Sequence, residues 1–193
     1  MKLKGNTKSI ILDAARCTFV RFGYDKTSLA DIAKQANLGK ASLYYYYPSK
    51  QDLFFDVVQQ EADSFLQIIN DAFSRCNTAM DKLRSYIDTR LSKIEKMGNL
   101  VEIDREEISK LKKLAEQGLV DFRKMEYELI KSVMEEGISN GEFSNRDAGL
   151  MAYSFLSLFR DLDVDWMIQQ DEFDRKAIIE MMASIVLTGI QKG

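Results

Sequence analysis

The chain has 193 residues, 46% of them hydrophobic and 30% charged, and a net charge of −3. That length supports a sizeable core in one domain or two small ones, and the composition excludes a disordered chain. Because there is no histidine and no paired-cysteine spacing, zinc sites and histidine-based triads are hard to build. We therefore predict no metal, no cofactor and no catalytic residue.

Segments that would place the chain in a membrane are missing from the sequence. No run of about 18 apolar residues occurs, and no apolar segment follows the basic start "MKLKGNTK". We expect neither a membrane span nor a secretory signal, and a cytoplasmic location. Cys17 and Cys76 lie far apart in helical apolar patterns, so we expect two small buried side chains and no disulfide.

The charge is unevenly distributed along the chain. Residues 1–50 contain nine Lys or Arg and three Asp, a net charge of +6, which leaves −9 for residues 51–193. A basic end is a candidate polyanion surface, because neutralising phosphates is the largest sequence-independent term in nucleic-acid binding. Ordinary solvated lysines would produce the same count, so charge alone leaves both interpretations open.

Helical spacing almost throughout, with Pro48 as the single proline, predicts an all-α fold. A first helix is predicted over residues 7–22, and Gly23 ends it. Its predicted buried stripe consists of Ile11, Ala15, Phe19 and Phe22.

A helix-turn-helix is predicted next. The second helix covers residues 29–36 and buries Leu29, Ile32, Ala33 and Ala36. In the turn "NLG", Asn37 and Gly39 can both adopt a positive φ, and a third helix then runs from Lys40 to Tyr46 or Tyr47 before Pro48. Two short helices joined by a tight turn and packed on a longer one form this motif.

Four Ser/Thr-x-x-Asp patterns mark predicted helix starts, since the hydroxyl can accept from a backbone N–H and the acid lies at the positive end of the helix dipole. The pairs are Ser28 with Asp31, Ser49 with Asp52, Thr78 with Asp81, and Ser144 with Asp147. The later helices are predicted over residues 50–75, 78–97, 104–116, 119–140, 147–169 and 174–191.

Four tyrosines, residues 44–47, stand in a row in the stretch "GKASLYYYYPSK". At about 100° per residue, Leu43 and Tyr47 share one side of the third helix, which we expect to face the core. Small residues on the outer side let a helix enter a major groove, and phenols can bond phosphate or touch thymine methyls. The outward positions are Lys40, Ala41, Ser42, Tyr44, Tyr45 and Tyr46.

Residues 11–54, "ILDAARCTFVRFGYDKTSLADIAKQANLGKASLYYYYPSKQDLF", resemble the DNA-binding domain of the TetR family of bacterial transcriptional regulators. The resemblance implies a three-helix helix-turn-helix DNA-binding domain in residues 1–49 and a helical ligand-binding and dimerisation domain in residues 50–193. It also implies a homodimeric repressor, which binds a double-stranded DNA operator and releases it when a small-molecule effector binds.

The resemblance also implies which residues meet DNA. They lie at the start of the second helix, on the outer side of the third helix and at the start of the fourth, and they contact bases or phosphates. The matching positions are Thr27, Ser28, Lys40, Ala41, Ser42, Tyr44, Tyr45, Tyr46 and Lys50.

The last helix is apolar on two sides and therefore needs two partners. The resemblance favours a second subunit as one of them, whereas a monomeric bundle would also bury both sides. The predicted dimer-interface residues are Met151, Phe155, Leu158, Leu162, Ile178, Met182, Ile185 and Gly189.

The candidate effector-binding residues lie on middle helices that line the pocket in relatives. An arginine in an apolar cavity suits an acidic or amphipathic ligand, and core packing with solvent-facing arginines is the alternative. The candidates are Phe65, Tyr86, Arg90, Phe122 and Arg160.

Two other classes of function compete with a regulator. A helical adaptor that binds only protein would have no use for a basic end with an exposed Lys-Ser-Tyr surface. An enzyme is disfavoured because the acidic stretches "EEISKLKKLAEQ" and "RDLDVDW" lack a histidine or a paired glutamate motif.

Overall fold

The computed structural model describes residues 3–98, 113–116, 118–160 and 175–192. Within these ranges the backbone is almost entirely helical, which confirms the all-α prediction. The named helices are α1 (Leu3–Phe22), α2 (Leu29–Gln35), α3 (Lys40–Tyr46), α4 (Lys50–Phe73), α5 (Ala79–Gly98), α6 (Val120–Ser139), α7 (Ala148–Arg160) and α8 (Arg175–Ile190).

Most predicted helices appear within a few residues of their predicted ends. For two predicted helices the comparison is incomplete, because parts of them lie outside the described residues. Of the helix predicted over residues 104–116, only the helical residues 113–116 are described, and the predicted course of residues 161–169 also lies outside.

The described residues belong to two compact units. The first comprises those of Met1–Asp63 and Leu100–Val120, and the second comprises those of Ser64–Asn99 and Asp121–Gly193. The predicted domain boundary after residue 49 falls at the start of α4 and stays a prediction. No helix in the described ranges has the length and apolar character needed to cross a membrane.

The core of the first unit joins α1, α2, α3 and the start of α4. Leu43 and Leu53 are fully buried in it, and Phe19, Tyr24 and Phe54 form an aromatic cluster with ring centroids 5.0–5.7 Å apart. The predicted buried stripe of α1 is confirmed for three members. The prediction is wrong for Phe22, which is 52% exposed, with the Arg21 guanidinium 5.0 Å from its ring centroid.

Local signals position α2 and α3. Ser28 and Asp31 form a complete capping box at the start of α2, as predicted. Asn37 has the expected positive φ of 53°, whereas Gly39 does not: its φ is −68°, the extended backbone of an N-cap residue. The prediction of a buried Cys17 is also wrong, because that side chain is exposed.

In the second unit, the start of α5 is capped from a distant loop. Both carboxylate oxygens of Glu142 accept 3.1 Å hydrogen bonds, one from the backbone N–H of Ala79 and the other from that of Met80. The predicted cap at Ser144 is wrong. Asp147 itself caps α7 by accepting from the Leu150 N–H at 2.7 Å, while the Ser144 hydroxyl donates to the Ile190 carbonyl.

Gly137 marks the tightest packing in this region. It lies on α6 against the ring of Phe143, and a Cβ at position 137 would overlap that ring. Phe143 is buried, and its neighbours tie the loop to the end of α8 through a backbone bond from Ser144 N–H to Ile190 O of 2.9 Å. Close contact of helix and ring therefore requires glycine.

We expect Gly137→Ala to lower the free energy of unfolding by about 1–3 kcal/mol, because the added methyl forces Phe143 out of its site. Urea denaturation measures this. The matched control is Gly118→Ala, where a Cβ would meet its nearest atom, on Phe55, at 3.5 Å, an ordinary contact. If both variants lost the same free energy of unfolding, the contact between position 137 and the Phe143 ring would not be the cause of the loss in Gly137→Ala.

Candidate DNA interface and effector site

The two faces of α3 differ sharply. Leu43 is fully buried and Tyr47, which caps the end of the helix, is only 4% exposed, so both contribute to the core as predicted. Lys40, Ala41 and Ser42 are exposed on the remaining surface. The helix therefore presents one basic and two small residues outward at its beginning.

The tyrosines continue this surface unequally. Tyr44 is 51% and Tyr45 is 71% exposed, as expected for outward positions. Tyr46 is half-buried against the core and meets the ring of Tyr45 edge-on, with centroids 5.5 Å apart. Tyr45 and Tyr46 thus form a pair in which one ring supports the other.

The residues before α2 hold one another in place. Thr27 is buried, and its hydroxyl donates a 2.6 Å hydrogen bond to the Gly23 carbonyl. Ser28 is exposed, and its hydroxyl donates to Asp31 while accepting from the Asp31 backbone N–H. These hydrogen bonds from Ser28 lower the pKa of the Asp31 carboxyl. Thr27 is therefore placed to support this turn, and Ser28 lies at its surface.

Lys50 extends from the start of α4 toward the same turn. Its ammonium lies 2.8 Å from the Tyr24 carbonyl, 2.9 Å from the Thr27 carbonyl and 3.5 Å from the Asp25 carbonyl. It also lies 4.3 Å from the centroid of the Tyr24 ring. The predicted phosphate contact of Lys50 stays a prediction, and the structure shows its donors directed at the protein.

The candidate effector residues are closely packed. Phe65 and Phe122 are buried with ring centroids 6.2 Å apart, and the Lys93 ammonium lies 4.8 Å from the centroid of the Phe65 ring. Tyr86 is fully buried, and its ring centroid is 5.6 Å from that of Phe155. The side chain of Arg160 lies outside the described residues.

Arg90 belongs to a buried polar network. One Glu126 oxygen, Oε1, accepts from the Tyr86 hydroxyl at 2.8 Å and from Arg90 Nη1 at 2.8 Å. Arg90 Nε donates to the Phe159 carbonyl at 3.2 Å. Burial is the main reason that the pKa of Tyr86 is raised, so the phenol stays a neutral donor. Glu126 was not identified from the sequence, where it looks like one of many helix-surface acids.

A groove of about 520 Å³ lies elsewhere, between α5 and α8. Four of the predicted effector residues have described side chains, and none of these four lines it. Among its lining residues, Arg84, Asp88 and Glu180 are charged, and Ile87, Leu91 and Leu187 are apolar. No cluster of three or more possible metal ligands occurs within the described ranges.

The predicted interface residues divide into two groups. Met151 and Phe155 are buried within the protomer, whereas Leu158 is 38% and Ile185 is 64% exposed. Gly189 is exposed, Ile178 and Met182 are half-buried, and Leu162 lies outside the described residues. Exposed apolar side chains that the periodicity missed are Leu150, Tyr153 and Met181.

Two family models match the chain. The model described as "Bacterial regulatory proteins, tetR family" matches residues 11–57, and "Tetracyclin repressor-like, C-terminal domain" matches residues 76–190. The second match alone covers more than half of the chain. The chain belongs to the TetR family. This confirms the predicted resemblance and a transcriptional regulator in place of an enzyme.

Relatives match over nearly the full length. The chain is 26% identical to the uncharacterized HTH-type transcriptional regulator YhgD of Bacillus subtilis, over 95% of this chain and 96% of YhgD. It is 22% identical to the fatty acid metabolism regulator protein of Bacillus subtilis, over 98% of each. The structure of FadR from Bacillus subtilis in complex with stearoyl-CoA matches with a TM-score of 0.70 and 19% identity, over 95% of this chain and 99% of FadR.

In this TetR-family chain we expect Tyr44→Ala and Tyr47→Ala to affect different properties, the first DNA binding and the second stability. Tyr44→Ala should weaken duplex binding by about 1–3 kcal/mol with little change in stability, because the ring is exposed. Tyr47→Ala should lower the free energy of unfolding by about 3–5 kcal/mol, as truncations of buried aromatic rings do. Band shifts measure DNA binding and thermal melts measure stability. If Tyr44→Ala bound DNA normally but lost stability, the assignment of Tyr44 to the outward side of α3 would be wrong.

The buried network gives a second expectation. Tyr86→Phe removes one donor to the Glu126 carboxylate, so the free energy of unfolding should fall by about 1–3 kcal/mol. The matched control is Tyr44→Phe at an exposed site, which should stay within about 0.5 kcal/mol of the parent. Urea denaturation of both variants decides whether this hydroxyl stabilises the second unit.

Proposed function

We propose that the protein is a homodimeric, cytoplasmic repressor that binds a near-palindromic DNA operator and is released by a small-molecule effector. The family assignment supports DNA-binding regulation in general. The observation that carries the proposal for this chain is the outer surface of α3, where Lys40, Ala41, Ser42 and Tyr44 are exposed while Leu43 and Tyr47 hold the helix in the core.

In this proposal α3 enters the major groove and its flanks contact phosphate. Alanine and serine at the start of the helix permit close approach, Lys40 supplies positive charge, and the exposed Tyr44 reaches base edges or thymine methyls. Ser28, Tyr45 and Tyr46 contact the phosphate backbone of the DNA, and Thr27 contributes by fixing the turn that carries Ser28.

Selection of bound sequences from random duplex DNA tests this function. We expect a near-palindromic site whose binding falls steeply with salt, and repression of a reporter placed behind it. A helical adaptor would select no sequence and show no salt-dependent duplex binding. Activation of the reporter would retain DNA binding but exclude repression.

The dimer is supported by apolar surface left uncovered in the protomer. On α8, Met181 is 63% and Ile185 is 64% exposed, and on α7 Leu150, Tyr153 and Leu158 are exposed as well. Large apolar side chains exposed together on two helices favour contact with another apolar surface, here that of a second copy of the chain. In a symmetric dimer the same surface of each copy meets the other, and the two α3 helices reach grooves about 34–36 Å apart or a multiple of it.

Ile185→Glu should therefore split the dimer, because the unpaired carboxylate would be buried at the interface at a cost of several kcal/mol. Operator affinity should collapse although no DNA-facing residue is changed. Ile68→Glu on α4, also at an exposed isoleucine, is the matched control and should stay dimeric. Sedimentation measures the oligomeric state of both variants, and band shifts measure their operator affinity. A monomeric Ile185→Glu protein that binds the full operator normally would refute the proposal that the two α3 helices of a dimer bind it together.

For the effector we propose a small acidic amphipathic molecule bound in the second unit. Support comes from Arg90 among buried aromatic rings and from the similarity to FadR, whose structure contains stearoyl-CoA. The candidate residues Phe65, Tyr86, Arg90, Phe122 and Arg160 remain part of this proposal. Long-chain acyl-CoA should release the operator, whereas free coenzyme A and short-chain acyl-CoA should not; release by none of them would exclude this ligand class.

A further inference from the structure

The first two turns of α4 hold both ends of the helix-turn-helix through side chains of opposite charge. Lys50 contacts the loop before α2, and Asp56 contacts the end of α3. Neither lies on the exposed surface of α3. Their contacts decide whether they act on DNA directly or through other residues.

The Lys50 ammonium lies where carbonyls converge. The Tyr24 and Thr27 oxygens accept at 2.8 and 2.9 Å, and the Asp25 oxygen lies at 3.5 Å. An ammonium has three donors, and two of them are taken by the short bonds to Tyr24 and Thr27, while the Asp25 carbonyl lies at the limit of hydrogen-bond distance. Without the cation, the converging oxygens would repel one another and two of them would lose a strong charge-assisted partner.

The loop that Lys50 holds fixes the beginning of α2. Within it, the Thr27 backbone N–H donates to the Tyr24 carbonyl at 3.2 Å, and the Thr27 hydroxyl donates to the Gly23 carbonyl at 2.6 Å. The next residue, Ser28, caps α2. A change in the loop therefore shifts the first helix of the motif.

Asp56 performs the corresponding task at the other end. Its Oδ2 accepts from the Tyr47 hydroxyl at 2.9 Å and pairs with the Lys8 ammonium at 2.7 Å. Tyr47 is the C-cap residue that directly follows α3, and only 4% of its surface is exposed. Burial first, and then the bond to Asp56, raise the pKa of the Tyr47 phenol, so it remains a donor.

We propose that Lys50 and Asp56 are positioning residues for DNA reading, which fix the loop before α2 and the end of α3 on α4 without touching DNA. This inference rests on the proposed DNA contacts of α3. For Lys50 it replaces the phosphate contact expected from the sequence with an indirect role. For Asp56 it assigns a role in DNA binding to an acid, whose charge alone would repel the duplex.

The two roles of Lys50 have different consequences. A phosphate contact strengthens every duplex, so Lys50→Met would weaken the selected operator and random DNA alike and lower the salt slope on random DNA by about 0.9. A positioning role predicts about tenfold weaker operator binding with the random-DNA slope unchanged. Lys40→Met is the control, because the exposed Lys40 should show the phosphate pattern.

Asp56→Asn gives a test in which the sign decides. Removing an acid near the duplex strengthens DNA binding if only charge matters. If Asp56 positions α3, operator affinity should instead fall about tenfold while random DNA binds as well as before or better. Tyr47→Phe removes the hydrogen bond to Asp56 altogether while it keeps the ring packing and the charge of Asp56, and it should also lose operator affinity.

A double-mutant cycle on the full chain completes the experiment. Tyr47→Phe combined with Asp56→Asn should lose no more than Asp56→Asn alone, which also loses the ion pair with Lys8, since both changes act on the one hydrogen bond between Tyr47 and Asp56. Additive losses, a rise in operator affinity for Asp56→Asn, or the phosphate pattern for Lys50→Met would overturn the proposal. If the parent selects no operator and Lys40→Met changes nothing, the DNA-binding function itself fails; thermal melts identify any variant that fails to fold, and Tyr47→Phe then carries the test.

Discussion

The anchoring of a seven-residue helix is the constraint on which the candidate DNA interface depends. A helix as short as α3 is not stable alone, because nucleation costs more than so few hydrogen bonds return. Its shape is maintained by Leu43 and Tyr47, which reach the core from one side. Every outward residue therefore owes its direction to these two side chains, and the exposed surface is as rigid as their packing.

Much of the first unit could be predicted because its signals are local. The capping box of Ser28 and Asp31, the positive φ of Asn37 and the inward side of α3 all depend on neighbours within a few residues. Such signals are present in any window of the sequence that contains them. The same locality explains the errors: Phe22 follows the apolar period of α1, yet it lies where the helix ends and the core no longer covers it.

Contacts between distant segments were beyond sequence reasoning. Glu142 caps α5 from 62 and 63 positions away, and Ser144 bonds the end of α8 in place of capping α7. Lys50 reaches carbonyls more than 20 residues earlier. In each case the residue type is compatible with two different contacts, and the tertiary structure determines which of them forms. A lysine at a helix start looks the same whether it meets a phosphate or a ring of carbonyls.

The effector site is harder to predict than the DNA interface for a related reason. Tyr86 and Arg90 lie one turn apart on the side of α5 that meets Glu126, while Arg84 and Asp88 face the groove toward α8. Both sides of the helix combine arginine with apolar residues, so composition favours neither. The buried carboxylate separates them: Glu126 neutralises Arg90 and binds Tyr86, which makes that side a closed network. An acidic ligand that approached Arg90 would have to compete with Glu126, so its affinity depends on the cost of opening this pair.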